Sequence, residues 1–466
     1  MEGSRAAVLV WVCLVVGLHG IPVSVMLSLT TVNNDGTLNQ PEQLRADLER
    51  LRSGGVNGVM GDVWWGIVEK SVQQYDFTAY LELAEMVKEL GLTFQPILSF
   101  HRCGGNVGDT CTIPLPQWVL DAATEQDLFY VDQNGVPDTE YLSLSADTAA
   151  VFPSNDTSVL RTGRDLYADF AAEFSRVFAP YFPQTINTIQ IGLGPAGEMR
   201  YPGYQSDRWT YCGVGAFQCY DPRMLANLSA AATAVGHPEW GNGGPSNAGD
   251  YNSCPFNTPF WTSGNFDNFE SAYGKFFLGW YSDMLLYSHA EPILASMSTI
   301  FSPSQVRLSA KVAGIHWWYG SDSHGSEVTS GYVNTNLEDA YLTIGEMFSR
   351  VNTTFDFTAL ELLDGTQYGQ CGSYKNNKCG SLPEELVDQT LLAAQKADVL
   401  YEGENALPII NESGLGNQQA FDQIYYKSTK YYPIHRFTFL RISDNMLYNE
   451  ANWAMFTDFV NRMAQA

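Results

Sequence analysis

The sequence predicts a (β/α)8 barrel with long loops after its third and fourth strands. Eight short runs dense in Val, Ile, Phe and Leu recur along the chain, and a helical pattern follows each of them. Several runs are too continuously apolar for a half-exposed sheet, which points to parallel strands buried on both faces. Eight such units suit a closed barrel, whereas the alternative, a doubly wound open sheet, needs fewer.

The predicted strands are 22–27, 56–64, 93–100, 186–193, 306–315, 355–362, 398–403 and 436–442. The first helix is signalled by "PEQLRADLERLRSGG": Pro41 opens it, Leu44, Leu48 and Leu51 share a face, and Gly54 stops it. Similar patterns begin at "FTAYLELAEMVKELG", "GRDLYADFAAEFSRVF", "NFESAYGKFF", "LEDAYLTIGEMFSRV", "PEELVDQTLLAAQKA", "NQQAFDQIYYKSTKYY" and "NWAMFTDFVNRMA". The loops 101–158 and 194–265 lie on the face where a barrel builds its active site.

Of the 466 residues, 51 are acidic and 25 basic, a net charge of −26. Such a surface repels phosphate backbones and anionic lipid, so neither nucleic acid nor a membrane is an expected partner of the mature chain. At the N-terminus, Arg5 precedes an apolar run over 6–18 with the length of a signal-peptide core; a buried strand or an anchor is the alternative. The expected division is therefore a signal peptide over 1–20 and one catalytic domain over 21–466. N-x-[ST] sequons at Asn155, Asn227, Asn352 and Asn411 fit an exported glycoprotein, in a secreted or a lysosome- or vacuole-like destination. Three close cysteine pairs, Cys103/Cys111, Cys212/Cys219 and Cys371/Cys379, suit small disulfide loops, with Cys254 left over; reduced thiols are the other reading. No His/Cys cluster has zinc spacing, so no metal is expected.

Gly192, Gly194 and Gly197 spell G-x-G-x-x-G after the fourth predicted strand. A dinucleotide site needs that last glycine to open a helix. Here Pro202 and Gly203 stop any helix at once, Pro195 removes an N–H donor, and Glu198 repels phosphate, so no cofactor is expected. Polar groups gather at predicted strand ends: Asp62, His101, Asp109, Glu198, Lys311, His316, Thr358, Glu361, Glu404, Asn405 and Arg441. Singly, each reads as a cap or an ion-pair partner. Together, at the ends of most predicted strands, they line one cavity once a barrel closes. Two carboxylates across such a cavity are the minimal equipment for glycoside hydrolysis: one gives a proton to the leaving oxygen, the other activates water or attacks the sugar. Trp64–Trp65 and Trp317–Trp318 suit either sugar faces or the core.

The blocks "GVNGVMGDVWWGIVEK", "HRCGGNVGD", "GLGPAGEMRYP", "GIHWWY", "FTALE", "GENALP" and "FTFLRISD" resemble, in order, those of the β-amylase family, over 21–466. The resemblance implies a barrel hydrolase that acts on starch, glycogen-like glucans or maltooligosaccharides and releases β-maltose from non-reducing ends with inversion. It implies Glu198 as general acid and Glu404 as general base. Asp62, His101, Asp109, Lys311, His316, Thr358, Asn405, Ala406 and Arg441 fall on sugar-holding positions. Asn405 is also placed to orient water. The stretch 104–109 matches a flexible lid that brings in Asp109, and the segment around Thr358 matches an inner loop. Inversion requires room for water, about 6.5–9.5 Å between the carboxyl groups, whereas a retaining enzyme needs about 5–5.5 Å. A disulfide across Cys103 and Cys111 resembles some bacterial members. Gly61 and Arg102 depart from the family pattern, the latter beside a first subsite. The calcium site of some bacterial members is not carried over, because "EKSVQQYD" keeps only Glu69 of the acidic ligands. A non-catalytic glucan sensor on the same barrel would have lost Glu198, Glu404 or the lid.

Overall fold

In a computed structural model of the chain, residues 20–106, 108–364, 366 and 380–466 are described. Residues 1–19 of the expected signal peptide, Val107 of the lid and the Cys371/Cys379 pair lie outside them. Eight parallel strands close into a barrel: β1 Val23–Met26, β2 Gly58–Trp64, β3 Thr93–Ser99, β4 Thr188–Ile191, β5 Arg307–Val312, β6 Thr353–Thr358, β7 Tyr401–Glu404 and β8 Arg436–Phe439. Closure is made by β1, which pairs with β8 through Ser24↔Thr438 and with β2 through Val25↔Val59. Each strand falls within or within two residues of its predicted run. The runs themselves extend further because apolar loop roots continue the pattern.

An outer helix follows each strand, beginning with Pro41–Ser53 and ending with Glu450–Met463. The first buries the predicted stripe of Leu44, Leu48 and Leu51. The third, Gly163–Phe178, starts on a capping box in which Thr162 and Asp165 satisfy each other's backbone N–H groups. The fourth was expected from about residue 268 but begins at Ala272, where the Ser271 side chain accepts from Gly274 N–H. It carries a π-helical turn at Leu286–Ala290 before continuing as Glu291–Phe301. That turn places buried His289 against Asp147 (2.7 Å) and the Leu193 carbonyl (3.0 Å), at the root of the loop after β4. The loop after β3 contains an antiparallel hairpin, Phe129–Val131 with Pro137–Leu142, that the strand pattern did not include. Its sequence signal is the Asn134–Gly135 turn between two β-rich runs. Among the described residues, no helix is long and apolar enough to cross a membrane.

The barrel interior is largely polar, with one small apolar cluster of Met26, Met60 and Ile97. At its lower end Arg436 donates to Gln95 and to Asn187 (3.0 Å) and faces Glu402 at 4.0 Å. Gln95 and Ser309 also donate to Glu402. Higher up, Gln190 donates to Asp356. Removing one partner of a buried ion pair leaves the other charge uncompensated, at a cost of about 3–5 kcal/mol. Arg436→Leu is therefore expected to lower the unfolding free energy by that amount, and the denaturant midpoint with it, far more than a surface Arg→Leu change. An unchanged midpoint would show that Glu402 does not depend on this contact.

Candidate active site

The polar column ends at the C-terminal mouth of the barrel in a lysine between two glutamates. Lys311 on β5 donates its Nζ to Glu404 Oε2 at 2.8 Å, and Glu404 ends β7. Beyond β4 the chain leaves the sheet for a turn at Pro195–Gly197, then returns to pair with β5. Glu198 bridges Lys311, and Met199 N–H donates to the Lys311 carbonyl at 2.8 Å. Burial pulls the Lys311 ammonium down, but the charges of Glu404, Asp356 and Glu198 outweigh burial and lift it above the usual lysine range. Asp356 lies beneath and is pushed well above the ordinary carboxylate range, first by burial and then by Glu404.

Glu198 has a separate partner. Arg200 Nε donates to its Oε2 at 2.6 Å, and the Arg200 guanidinium lies over the Tyr204 ring at 4.2 Å. The two candidate catalytic carboxylates are therefore held by different cations, Arg200 for Glu198 and Lys311 for Glu404. Such an arrangement lets them take different protonation roles.

The remaining predicted residues surround this pair. Asp62, on β2, accepts from Ser99 Oγ at 2.7 Å, and burial raises its pKa against the pull of Arg441. Arg441 donates to the Leu27 carbonyl; burial lowers its pKa, and the charges of Asp62, Glu404 and Asp109 oppose that. His101 packs edge-on to Trp64 at 5.1 Å and is pushed down to about 3, by burial first and then by Lys311 and Arg200. His316 bonds Ser381 Oγ at 2.7 Å, and burial pushes it down to about 3. Both imidazoles are neutral hydrogen-bonding groups at ordinary pH. Thr358 Oγ1 accepts from Gly314 N–H at 2.8 Å. A methyl on Gly314 would lie 1.8 Å from the Thr358 carbonyl, so the chain just past β5 approaches the end of β6 too closely there for any side chain.

Several residues play parts other than those expected. Asn405 donates to the Leu407 and Leu440 carbonyls and accepts from Leu440 N–H. Its amide ties the β7 loop to β8, with both Nδ2 hydrogens and one lone pair of Oδ1 engaged by the backbone. The N–H groups of Ala406 and Leu407 are held in turn by buried Glu361. Trp64, Trp65, Trp317 and Trp318 are all buried, so the core reading of both pairs prevails. Asp109 is folded back on the lid, accepting from Gly104 and Asn106 N–H groups at 2.8 and 3.0 Å. Arg102 is turned to the hairpin, where it donates to Thr139 Oγ1 at 2.9 Å. Gly61 faces Leu27 and Phe94 with ordinary room for a methyl, a matter of packing. Asp356 and Glu140, the latter on the hairpin, were not singled out from sequence; both depend on contacts between distant segments.

Cys103 and Cys111 are joined by a disulfide across the base of the lid. The Cys212/Cys219 pairing is not made: Cys212 is disulfide-bonded, whereas Cys219 is a buried free thiol, and Cys254 is also free. Among the described residues, no cluster of three or more His, Cys, Asp or Glu could hold a metal ion.

The sequence profile of glycosyl hydrolase family 14 matches residues 24–466. β-Amylase 1, chloroplastic, of Arabidopsis thaliana is 44% identical over 96% of this chain and 76% of its own length. β-Amylase 2, chloroplastic, of Oryza sativa subsp. japonica is 44% identical over 96% of this chain and 78% of its own. The crystal structure of the catalytic domain of β-amylase from Paenibacillus polymyxa superposes with a TM-score of 0.76 at 30% identity, covering 95% of this chain and 98% of that one. The two chloroplastic relatives overturn the secreted or lysosome- or vacuole-like destination expected from the N-terminal apolar run, and point to a plastid.

Glu361 supplies a pH test. Burial raises its pKa from 4.5 to about 7, against the bonds from Leu407 and Ala406 N–H. Between those values the folded chain keeps a proton that the unfolded chain has lost, so stability falls as pH rises through this window. The fall is on the order of 3 kcal/mol, at about 1.36 kcal/mol per unit. Glu361→Gln gives up one backbone bond, so it is expected to be less stable at pH 4. Its unfolding free energy should nevertheless decline less between pH 4 and pH 8 than that of the wild type. Parallel declines would mean that Glu361 does not titrate in the folded chain.

Proposed function

The chain belongs to glycosyl hydrolase family 14, and from that premise we propose that it works as a β-amylase, hydrolysing α-1,4-glucosidic bonds of starch-like glucans from their non-reducing ends and releasing β-maltose. The observation that carries this reading is that one residue of β5 adjoins both glutamates, one through its backbone and the other through its side chain. Lys311 is backbone-paired to Glu198 on one side and hydrogen-bonded to Glu404 on the other.

Glu198 is the general acid. It protonates the glycosidic oxygen as the bond breaks and charge spreads over the anomeric centre. Glu404 is the general base and takes a proton from the water that attacks the opposite face of the sugar. Lys311 gives this carboxylate a positively charged hydrogen-bond donor at 2.8 Å. Asp62, His101, Asp109, His316, Thr358 and Arg441 hold the two glucose units, Asn405 and Ala406 through the backbone they present. The neutral imidazoles of His101 and His316 suit sugar hydroxyls, being able to bond without attracting counter-ions.

The test is proton NMR of fresh maltooligosaccharide digests. The β anomer of maltose is expected first, before mutarotation. α-Maltose or glucose as first product would sink the reading. Glu198→Gln and Glu404→Gln are each expected to lower kcat by about 10²-fold to 10⁴-fold, the worth of one positioned proton-transfer group. Full activity in either variant would remove that residue from its role.

A further inference from the structure

The turn that carries Glu198 is held at both ends by groups already described, His289 on the Leu193 carbonyl and the Lys311 carbonyl on Met199 N–H. Within it, Gly197 N–H donates to the Gly194 carbonyl and Glu198 N–H to that of Pro195. Ala196 is different. It sits in the left-handed region at φ 55°, ψ 19°, an uncommon state for a residue with a Cβ. Its N–H points out of the turn to a side chain from another segment, Oε1 of Glu140 at 2.8 Å. The same oxygen accepts from Asn106 Nδ2 at 3.1 Å, and the Glu140 carbonyl accepts from Arg102 N–H at 2.8 Å.

We infer that Glu140 is a positioning residue for the acid: one buried carboxyl oxygen pins the middle of the Glu198 turn and the root of the lid together, so that the acid is aligned with the leaving oxygen. The inference rests on the reading of Glu198 as general acid. Glu140 bonds the Ala196 peptide, whereas the Glu198 carboxylate is bonded by Arg200, so Glu140 acts through the turn. Losing the bond leaves a partly buried N–H without an acceptor in a turn whose conformation is already costly. The turn then has a reason to relax, and Glu198 moves with it.

The surroundings fit this part. Glu140 is pushed up to about 8, by burial first and then by Asp138, with Arg200 pulling the other way. Below that pH it is neutral, so it leaves Arg200 to Glu198 and serves as an acceptor without adding a charge. What matters is then its reach and its oxygen. Gln keeps both, Asp keeps the oxygens without the reach, and Met keeps the length without the oxygen.

The test compares Glu140→Gln, Glu140→Asp and Glu140→Met at a pH below 7 on two substrates. One is a maltooligosaccharide, whose leaving oxygen needs a proton. The other is α-maltosyl fluoride, whose fluoride leaves without one. On the oligosaccharide, E140D and E140M are expected to lose about 10²-fold in kcat, the scale of an ångström-level misplacement, with KM unchanged. On the fluoride both should keep the wild-type rate, and E140Q should keep it on both substrates. A purely structural role would lower the thermal midpoint and affect both substrates alike. Wild-type kcat in E140D and E140M, equal losses on the two substrates, or an E140Q as slow as E140D would each overturn the inference. Should one of the two impaired variants fail to fold, the other decides. A wild-type enzyme that released no β-maltose would instead defeat the reading of the site itself.

Discussion

A lysine ammonium buried beside a glutamate is the constraint around which the mouth of this barrel is arranged. A charge out of water is costly unless it is paired and hydrogen-bonded. Lys311 meets that demand with Glu404, and Glu404 meets it with Lys311. Once the pair exists, nearby groups cannot all be charged. Asp356 is driven toward its neutral form by burial and Glu404, and His101 is kept neutral by burial, Lys311 and Arg200. The protonation pattern of the cleft thus follows largely from one ion pair and the absence of bulk water around it.

The same constraint runs down the barrel. Inward positions that an apolar barrel fills with Val, Ile and Leu hold Gln95, Gln190, Ser309, Asp356, Glu402 and Arg436 here, satisfied mainly by one another. The members come from six strands, β3 to β8, and bond partners on other strands, so the column is correct only when the register of those six is correct. The strands bury their outward positions against the helices, where Phe, Leu, Ile and Val dominate. Apolar burial there drives folding, while the polar interior ties strand register to the placing of the site.

The long loops do the positioning that strands cannot. The turn after β4 leaves the sheet and returns beside β5, which places Glu198 next to Lys311. The hairpin after β3 supplies Glu140 to that turn, and the π-helical turn supplies His289 to its root. Each of these supports comes from a segment tens of residues away or more. None lines the candidate sugar site, and a search for chemistry-bearing residues at strand ends passes over them.

Local pattern was enough for the eight strands, their helices and the list of polar residues at strand ends, because apolar periodicity and turn residues are properties of short segments. That no helix opens after Gly197 was local as well, since Pro195, Pro202 and Gly203 act within the same few residues. Partnership belonged to the tertiary structure alone. That Cys219 stays free while Cys212 is bonded, that Asn405 spends its amide on the backbone, and that the tryptophan pairs are core depends on which segments meet. So does the division of cations, Arg200 to Glu198 and Lys311 to Glu404. Residues 198 and 404 lie more than two hundred positions apart, and only closure of the barrel puts one lysine between them.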